Sequence, residues 1–304
     1  MSIIQAFKAA GSPKTAAFVK QLHSTSWTID QIRAACLFAV ENDFPALFDW
    51  AYSQISGVPN IQKDVLALSS RWGFAFAMER VYTHFAAPNV NPKNLLATAA
   101  RFGHGDFLNA MSKVKYFTAS DQEWIVKNAA TGGQIALMED KALVPAKLSS
   151  PLLNSMYTLA AQHGQLDFMR WMENKEILPA QWTKAYWKDF VHEAVSTAQD
   201  DVLRHLLISP FWVKTRKEAL KSAGCCVLVQ EMKTALRMSQ NPEKSQRILE
   251  ILVDEVSSNR WEKNRAYLSA DQQECIDALY AHRQKARLLE CVSSPPSLSP
   301  RRKI

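Results

Sequence analysis

The sequence predicts an all-α protein, a solenoid of stacked helical hairpins with a period of about 30 residues, about seven units and a C-terminal helical cap. Three observations lead there. Turn-forming residues recur at nearly constant spacing, at Pro13, Asp43, Gly73, Gly103, Gly133, Gly164 and Ala198. Each is preceded by about ten residues with helical apolar spacing and followed by a second, shorter apolar stripe. Only nine glycines stand in 304 residues, too few for a turn-rich β protein, and the Ala- and Leu-rich text favours helix. A regular repeat of this length marks units that bury their apolar faces on one another.

Asn94 to Met111 shows the unit most clearly. Ala97, Ala99 and Ala100 let a neighbouring helix approach, Gly103-His104 reverses the chain, and Phe107, Leu108 and Met111 form the returning stripe. In the Gly164 unit the second helix carries Leu166, Phe168, Met169 and Met172. Polar connectors follow, some with proline, as in Pro88 to Pro92 and Ile177 to Trp182. One hairpin of this size cannot bury its own apolar side, whereas stacked hairpins can.

Beyond the Ala198 unit the period blurs. Lys217 to Met238 reads as one long helix through Ala219, Leu220, Ala223, Val227, Val229 and Met232. Pro242 suits the first turn of a helix carrying Ile248, Leu249, Ile251, Leu252 and Val256. Ser269 and Gln272 form a capping-box pattern that opens a helix to about Glu290. The expected organisation is a repeat region over 1–256, a capping helix over 257–292 and a disordered basic tail over 293–304.

The pattern T-P-L-H-x-A-A-x-x-G-H-x-D-x-V-x-x-L-L belongs to ankyrin repeats. Ala99, Ala100, Gly103, His104, Asp106 and Phe107 match it, as do Ala160, Ala161, Gly164, Asp167 and Phe168. Asp201, Val202, Leu206 and Leu207 match its second helix. From about residue 2 to about residue 256 the chain resembles a divergent ankyrin-repeat protein. No unit keeps the T-P-L-H opening, where Ala97 and Thr158 replace the histidine, so short loops are expected in place of β-hairpin fingers. The resemblance implies that His104 bonds to backbone at its turn.

Composition sets the other expectations. A hydrophobic fraction of 47% with 21% charged residues describes a folded, soluble chain. Three of the seven excess positive charges sit in the tail, at Arg301, Arg302 and Lys303, so the body is only mildly basic and nucleic acid is not the expected partner. The five cysteines, Cys36, Cys225, Cys226, Cys275 and Cys291, form no C-x-x-C pair and read as reduced, mostly buried thiols of a cytoplasmic protein. The opening residues do not read as a secretory signal, and no apolar run is long enough to span a membrane. The tail S-P-R-R-K offers a weak nuclear address.

No chemical motif survives inspection. His192-Glu193 begins the zinc pattern H-E-x-x-H, but Ser196 stands where the second ligand belongs. Cys225-Cys226 lacks partners at recognisable spacing, and no G-K-[ST] follows Gly132-Gly133. Glu139-Asp140 and Asp200-Asp201 read as solvated faces. The expectation is a monomeric, non-catalytic module with no cofactor or metal, binding a partner protein on the concave face and loops. Trp182, Tyr186, Trp187 and Trp124 are its candidate anchors, because Trp and Tyr are favoured at interfaces. The alternatives are an enzyme with a C-terminal site near Cys225, His205 or Arg260 and repeats that select its substrate, or an ankyrin-type protein of bacterial or viral origin delivered into a host cell.

Overall fold

A computed structural model describes residues 27–58, 60–84, 91–175, 177–178, 184–223, 226–237, 242–256, 261, 266 and 268–293. The described residues are all-α, with no strand among them. The Pro13 turn, Pro88, Trp182, Gly224, Cys225, Arg260 and 294–304 lie outside them.

The helices are α1 (Ile29–Glu41), α2 (Pro45–Ile55), α3 (Ile61–Trp72), α4 (Ala75–His84), α5 (Pro92–Phe102), α6 (Gly105–Val114) and α7 (Ala119–Gly132). A 3-10 segment (Ile135–Glu139) leads to α8 (Ser150–Gln162) and α9 (Leu166–Asn174). Then come α10 (Lys184–Ser196), α11 (Asp200–Ile208), α12 (Pro210–Ala223), α13 (Cys226–Leu236), α14 (Pro242–Glu255) and α15 (Ala270–Ser293).

All six described turn residues are left-handed: Asp43 (φ 53), Gly73 (φ 76), Gly103 (φ 80), Gly133 (φ 70), Gly164 (φ 72) and Ala198 (φ 57). Side-chain-bearing residues avoid this region, which is why glycine holds four of the six places. Reversal after such a residue lets the next amide bond back to a helix carbonyl. Thus Phe74 N donates to Ser69 O, His104 N to Ala99 O, Gln134 N to Ala129 O and Gln199 N to Ala194 O, at 2.8–3.0 Å.

The chain forms two compact units. The first comprises 1–160 with 167–175, and the second 161–166 with 176–304. In the first, α1 packs on α3, α3 on α5 and α5 on α7, while α2 packs on α4 and α4 on α6. Hairpin partners also touch, α1 with α2, α3 with α4 and α5 with α6. Its core comes from the small and apolar positions of the sequence pattern, such as Ala99, Ala100, Phe107, Leu108, Ala129 and Ala130, all fully buried. In the second unit α10 packs on α11, α12 and α13, and α14 on α11, α13 and α15. Helix α15 is tied down by Trp261, whose Nε1 donates to Asp277 at 2.8 Å, by Tyr280 OH donating to Val256 O at 2.6 Å, and by the Arg283–Asp254 pair at 2.6 Å.

Two expectations are corrected. After Gly133 the chain makes a 3-10 segment and not an α-helix. Asp140 ends it: the carboxylate accepts from Ala142 N at 2.9 Å, an Asx turn, and from Asn109 Nδ2 at 3.0 Å. Leu137, Met138 and Leu143 still supply the buried side. Lys217 to Met238 is two helices, because Pro210 opens α12 ahead of Lys217 and the helix stops at Ala223, before Gly224. Among the described cysteine side chains, Cys36 is buried, its thiol pushed up to about 12 by desolvation, and Cys275 is exposed.

Candidate partner-binding face

Helices α3, α5 and α7 present one exposed face, built from positions thirty residues apart. On α3 it carries Lys63, Asp64, Ala67, Leu68, Arg71 and Trp72; on α5, Lys93, Asn94, Ala97, Thr98, Arg101 and Phe102; on α7, Glu123, Trp124, Lys127 and Asn128. The spacing of three and four places these side chains on one side of each helix.

The helices are held in register by side chains that reach one helix back. His104 Nε2 bonds to Arg71 O at 2.7 Å; a carbonyl only accepts, so Nε2 carries the proton. Gln134 Nε2 donates to Arg101 O at 3.2 Å. In the second unit Gln199 Nε2 donates to Gln162 O at 3.3 Å, from the same place after its turn. The turn glycines leave room for these links. A Cβ on Gly73 would lie 2.6 Å from His104 Nδ1, and one on Gly103 2.4 Å from Gln134 Oε1. Trp124 Nε1 donates to Lys93 O at 3.1 Å, and Arg33 of α1 pairs with Asp64 of α3. The backbone-bonding role expected of His104 is therefore present.

The N-terminus of α7 is locked by a capping box. Thr118 Oγ1 and Thr118 N donate to Asp121 Oδ2 at 2.9 and 3.1 Å, and Asp121 N donates back to Thr118 Oγ1 at 3.2 Å. Burial alone pushes the Asp121 carboxyl up. The Thr118 hydrogen bonds and the Lys115 ammonium at 3.4 Å outweigh it and hold the carboxyl below the ordinary aspartate value. A depressed folded value contributes stability that is present above the unfolded aspartate value, about 3.9, and is lost as pH falls through the folded one. Urea titrations of wild type and Asp121→Asn should therefore differ most near neutral pH and converge below about pH 4.

The face is chemically uneven. Trp72 is 53% exposed, Phe102 50% and Trp124 40%, three large rings on one face. The Arg71 guanidinium lies 6.0 Å from the centroid of the Trp72 ring, and Phe102 stacks on His104 at 6.3 Å. Leaving aside Asp64, paired with Arg33, and Asp121, paired with Lys115, the charged residues of the three helices are Lys63, Arg71, Lys93, Arg101 and Lys127 against Glu123. Among the described residues no ion pair involves any of these six.

Of the expected anchors among the described residues, Trp124 lies on this face. Trp187 is fully buried, with Nε1 donating to Leu206 O at 3.1 Å. It heads the buried stripe Trp187, Phe190, Val191, Ala194 and Val195 of α10 and is a core residue, which corrects its assignment as an anchor. Tyr186 is half-buried and stacks on Phe190 at 6.4 Å. Trp182 is among the residues outside the described set. Trp72 and Phe102 escaped the sequence reading, although a signal exists: R-W-G at 71–73 and R-F-G at 101–103 repeat one tripeptide pattern at the same register.

The residues of the incomplete zinc pattern have partners of their own. His192 Nδ1 lies 3.0 Å from Glu231 Oε2, and Glu193 accepts from Gln162 Nε2 at 2.8 Å. Burial pushes the Glu231 carboxyl up, against the opposing pull of His192. Among the described residues no group of three or more His, Cys, Asp or Glu is placed to hold a metal ion, and no helix is long and apolar enough to cross a membrane.

The described fold and face define an all-α protein of packed helical hairpins. Comparison with known protein families, curated proteins and solved structures returns no match.

Proposed function

We propose that the chain is an ankyrin-like solenoid of helical hairpins that serves as a non-catalytic protein-binding module, with the exposed face of α3, α5 and α7 as its contact surface. The observation that carries this reading is the exposure of Trp72 and Phe102 at equivalent places on neighbouring helices. Apolar area left in water costs about 25 cal/mol per Å². Two large rings kept at the rim of a helix row are best explained by a partner that covers them. The links from His104 and Gln134 to the preceding helix support the stack and fix the face before binding, so little ordering is needed when a partner docks.

The test is a displayed library of random peptides selected on the intact protein, with Trp72→Ala/Phe102→Ala as the counter-target. Both rings are about half exposed, so the variant should stay folded, and its unfolding midpoint is measured beside the wild type's. Enrichment of peptides that prefer the wild type supports a binding face. A selection that enriches nothing on the wild type over the variant overturns it.

A further inference from the structure

On the reading that this face binds a protein, we infer that its partner is an amphipathic helical segment, apolar along its middle and acidic along both flanks. The exposed cations of α3 and α5 lie in two rows. Lys63 and Lys93 form one near the helix N-termini, and Arg71 and Arg101 form the other near the C-termini. Eight residues separate the rows, about 12 Å of helix at about 1.5 Å per residue. Between them lie the uncharged Ala67, Leu68, Ala97 and Thr98, and Asp64, whose carboxylate is paired with Arg33. The Thr98 hydroxyl donates to Asn94 O at 2.9 Å, so its polar atom is already satisfied. Ala67, Leu68 and Ala97 make the strip between the long cationic side chains apolar. An α-helix with its side chains is about 10–12 Å across, which matches the separation of the rows.

The chemistry on each side follows from this layout. Helix side chains laid across α3 and α5 would place their apolar stripe on Ala67, Leu68 and Ala97, with Trp72 and Phe102 closing one edge. Carboxylates on the two flanks would meet Arg71 and Arg101 on one side and Lys63 and Lys93 on the other. Arginine suits a carboxylate because its planar fork bonds both oxygens. The links to neighbouring helices use the arginine carbonyls and not the guanidinium groups, and the Arg71 contact with the Trp72 ring leaves its N–H groups free to meet a carboxylate. A nucleic acid, with charge at every phosphate, would favour an unbroken basic track. Here the track is interrupted by the apolar strip, and Glu41 and Glu123 stand exposed on the flanking helices.

Fluorescence anisotropy on the full chain tests the inference. The probe is a labelled synthetic helical peptide with a leucine stripe flanked by glutamates, compared with the same peptide carrying lysine for glutamate and with single-stranded oligothymidylate. The acidic peptide should bind at least about tenfold more tightly than either comparator. Arg71→Glu/Arg101→Glu and Lys63→Glu/Lys93→Glu should each weaken it by about tenfold or more, with the milder Arg71→Gln/Arg101→Gln between them and wild type. Binding should fall steeply toward about 1 M salt, where charges are screened beyond about 3 Å. Equal binding of the lysine peptide, or indifference to both charge reversals, overturns the inference. So does tighter binding of oligothymidylate that the same variants abolish. If peptides selected from the random library lack acidic residues yet still require Trp72 and Phe102, the acidic partner falls and the binding module stands.

Discussion

Gly132→Ala should destabilise the protein by about 2–3 kcal/mol, although alanine is the better helix former by about 1 kcal/mol. Gly132 is the last residue of α7, in ordinary helical conformation, so backbone strain plays no part. The obstacle is a neighbour. A Cβ there would lie 1.9 Å from the Arg101 carbonyl oxygen and 2.8 Å from its carbon. This is main chain at the end of α5, which cannot swing aside as a side chain would. Helices α5 and α7 must part, and overpacking of this kind costs about 1–3 kcal/mol, sometimes more. Separation also breaks the bond from Gln134 Nε2 to Arg101 O, worth about 1 kcal/mol. Gly57 provides the control, since nothing lies within 4 Å of a Cβ built there. Urea unfolding should show a large fall in midpoint for Gly132→Ala and a change within about 0.5 kcal/mol for Gly57→Ala. Equal effects would mean that α5 and α7 do not approach at this point.

Trp187→Ala should cost about 3–5 kcal/mol, the range for removing a large aromatic side chain from a core. Trp187 is fully buried, Phe190 packs edge-on to Trp212 at 5.7 Å, and the indole N–H joins α10 to α11 through Leu206 O. The change leaves a cavity and an unpaired carbonyl together. Trp187→Phe keeps most of the apolar bulk and loses the bond, so it should lie well between wild type and alanine. A surface anchor behaves otherwise, with substitution shifting stability by no more than about 0.5 kcal/mol. Thermal or urea unfolding followed by far-UV circular dichroism separates the two. A midpoint unchanged by Trp187→Ala would return the residue to the surface.

These two residues show what the sequence made legible. The turns were readable because left-handed backbone restricts the residues it admits, and Gly73, Gly103, Gly133 and Gly164 mark it directly. Asp43 and Ala198, with side chains, were found only through the spacing. The buried sides were readable from helical spacing, as in Phe107, Leu108 and Met111. The close approach at Gly132 was not, since it depends on where a different helix ends. The 3-10 segment after Gly133 was hidden for a similar reason, because Asp140 ends it by an Asx turn and a bond to Asn109 of α6.

The site was less legible than the fold. Aromatic residues near the starts of first helices drew attention to Trp182, Tyr186, Trp187 and Trp124. Whether such a ring faces a neighbour or the solvent depends on its place in the helical stripe. Trp187 begins the stripe that continues through Phe190, Val191, Ala194 and Val195, and it goes inward. Trp72 and Phe102 follow their stripes by two residues and stay outside. The cation rows emerge only when α3 and α5 are laid side by side, since Lys63 and Lys93, or Arg71 and Arg101, are thirty residues apart in the chain.

The most direct measurement of the binding claim is the dissociation constant of peptides selected on the wild-type protein, taken for wild type and for Trp72→Ala/Phe102→Ala at matched unfolding midpoints. If the face of α3, α5 and α7 is the contact surface, the variant binds at least about tenfold more weakly, as expected when two large aromatic anchors are truncated. Affinities that stay equal in a folded variant would contradict the assignment.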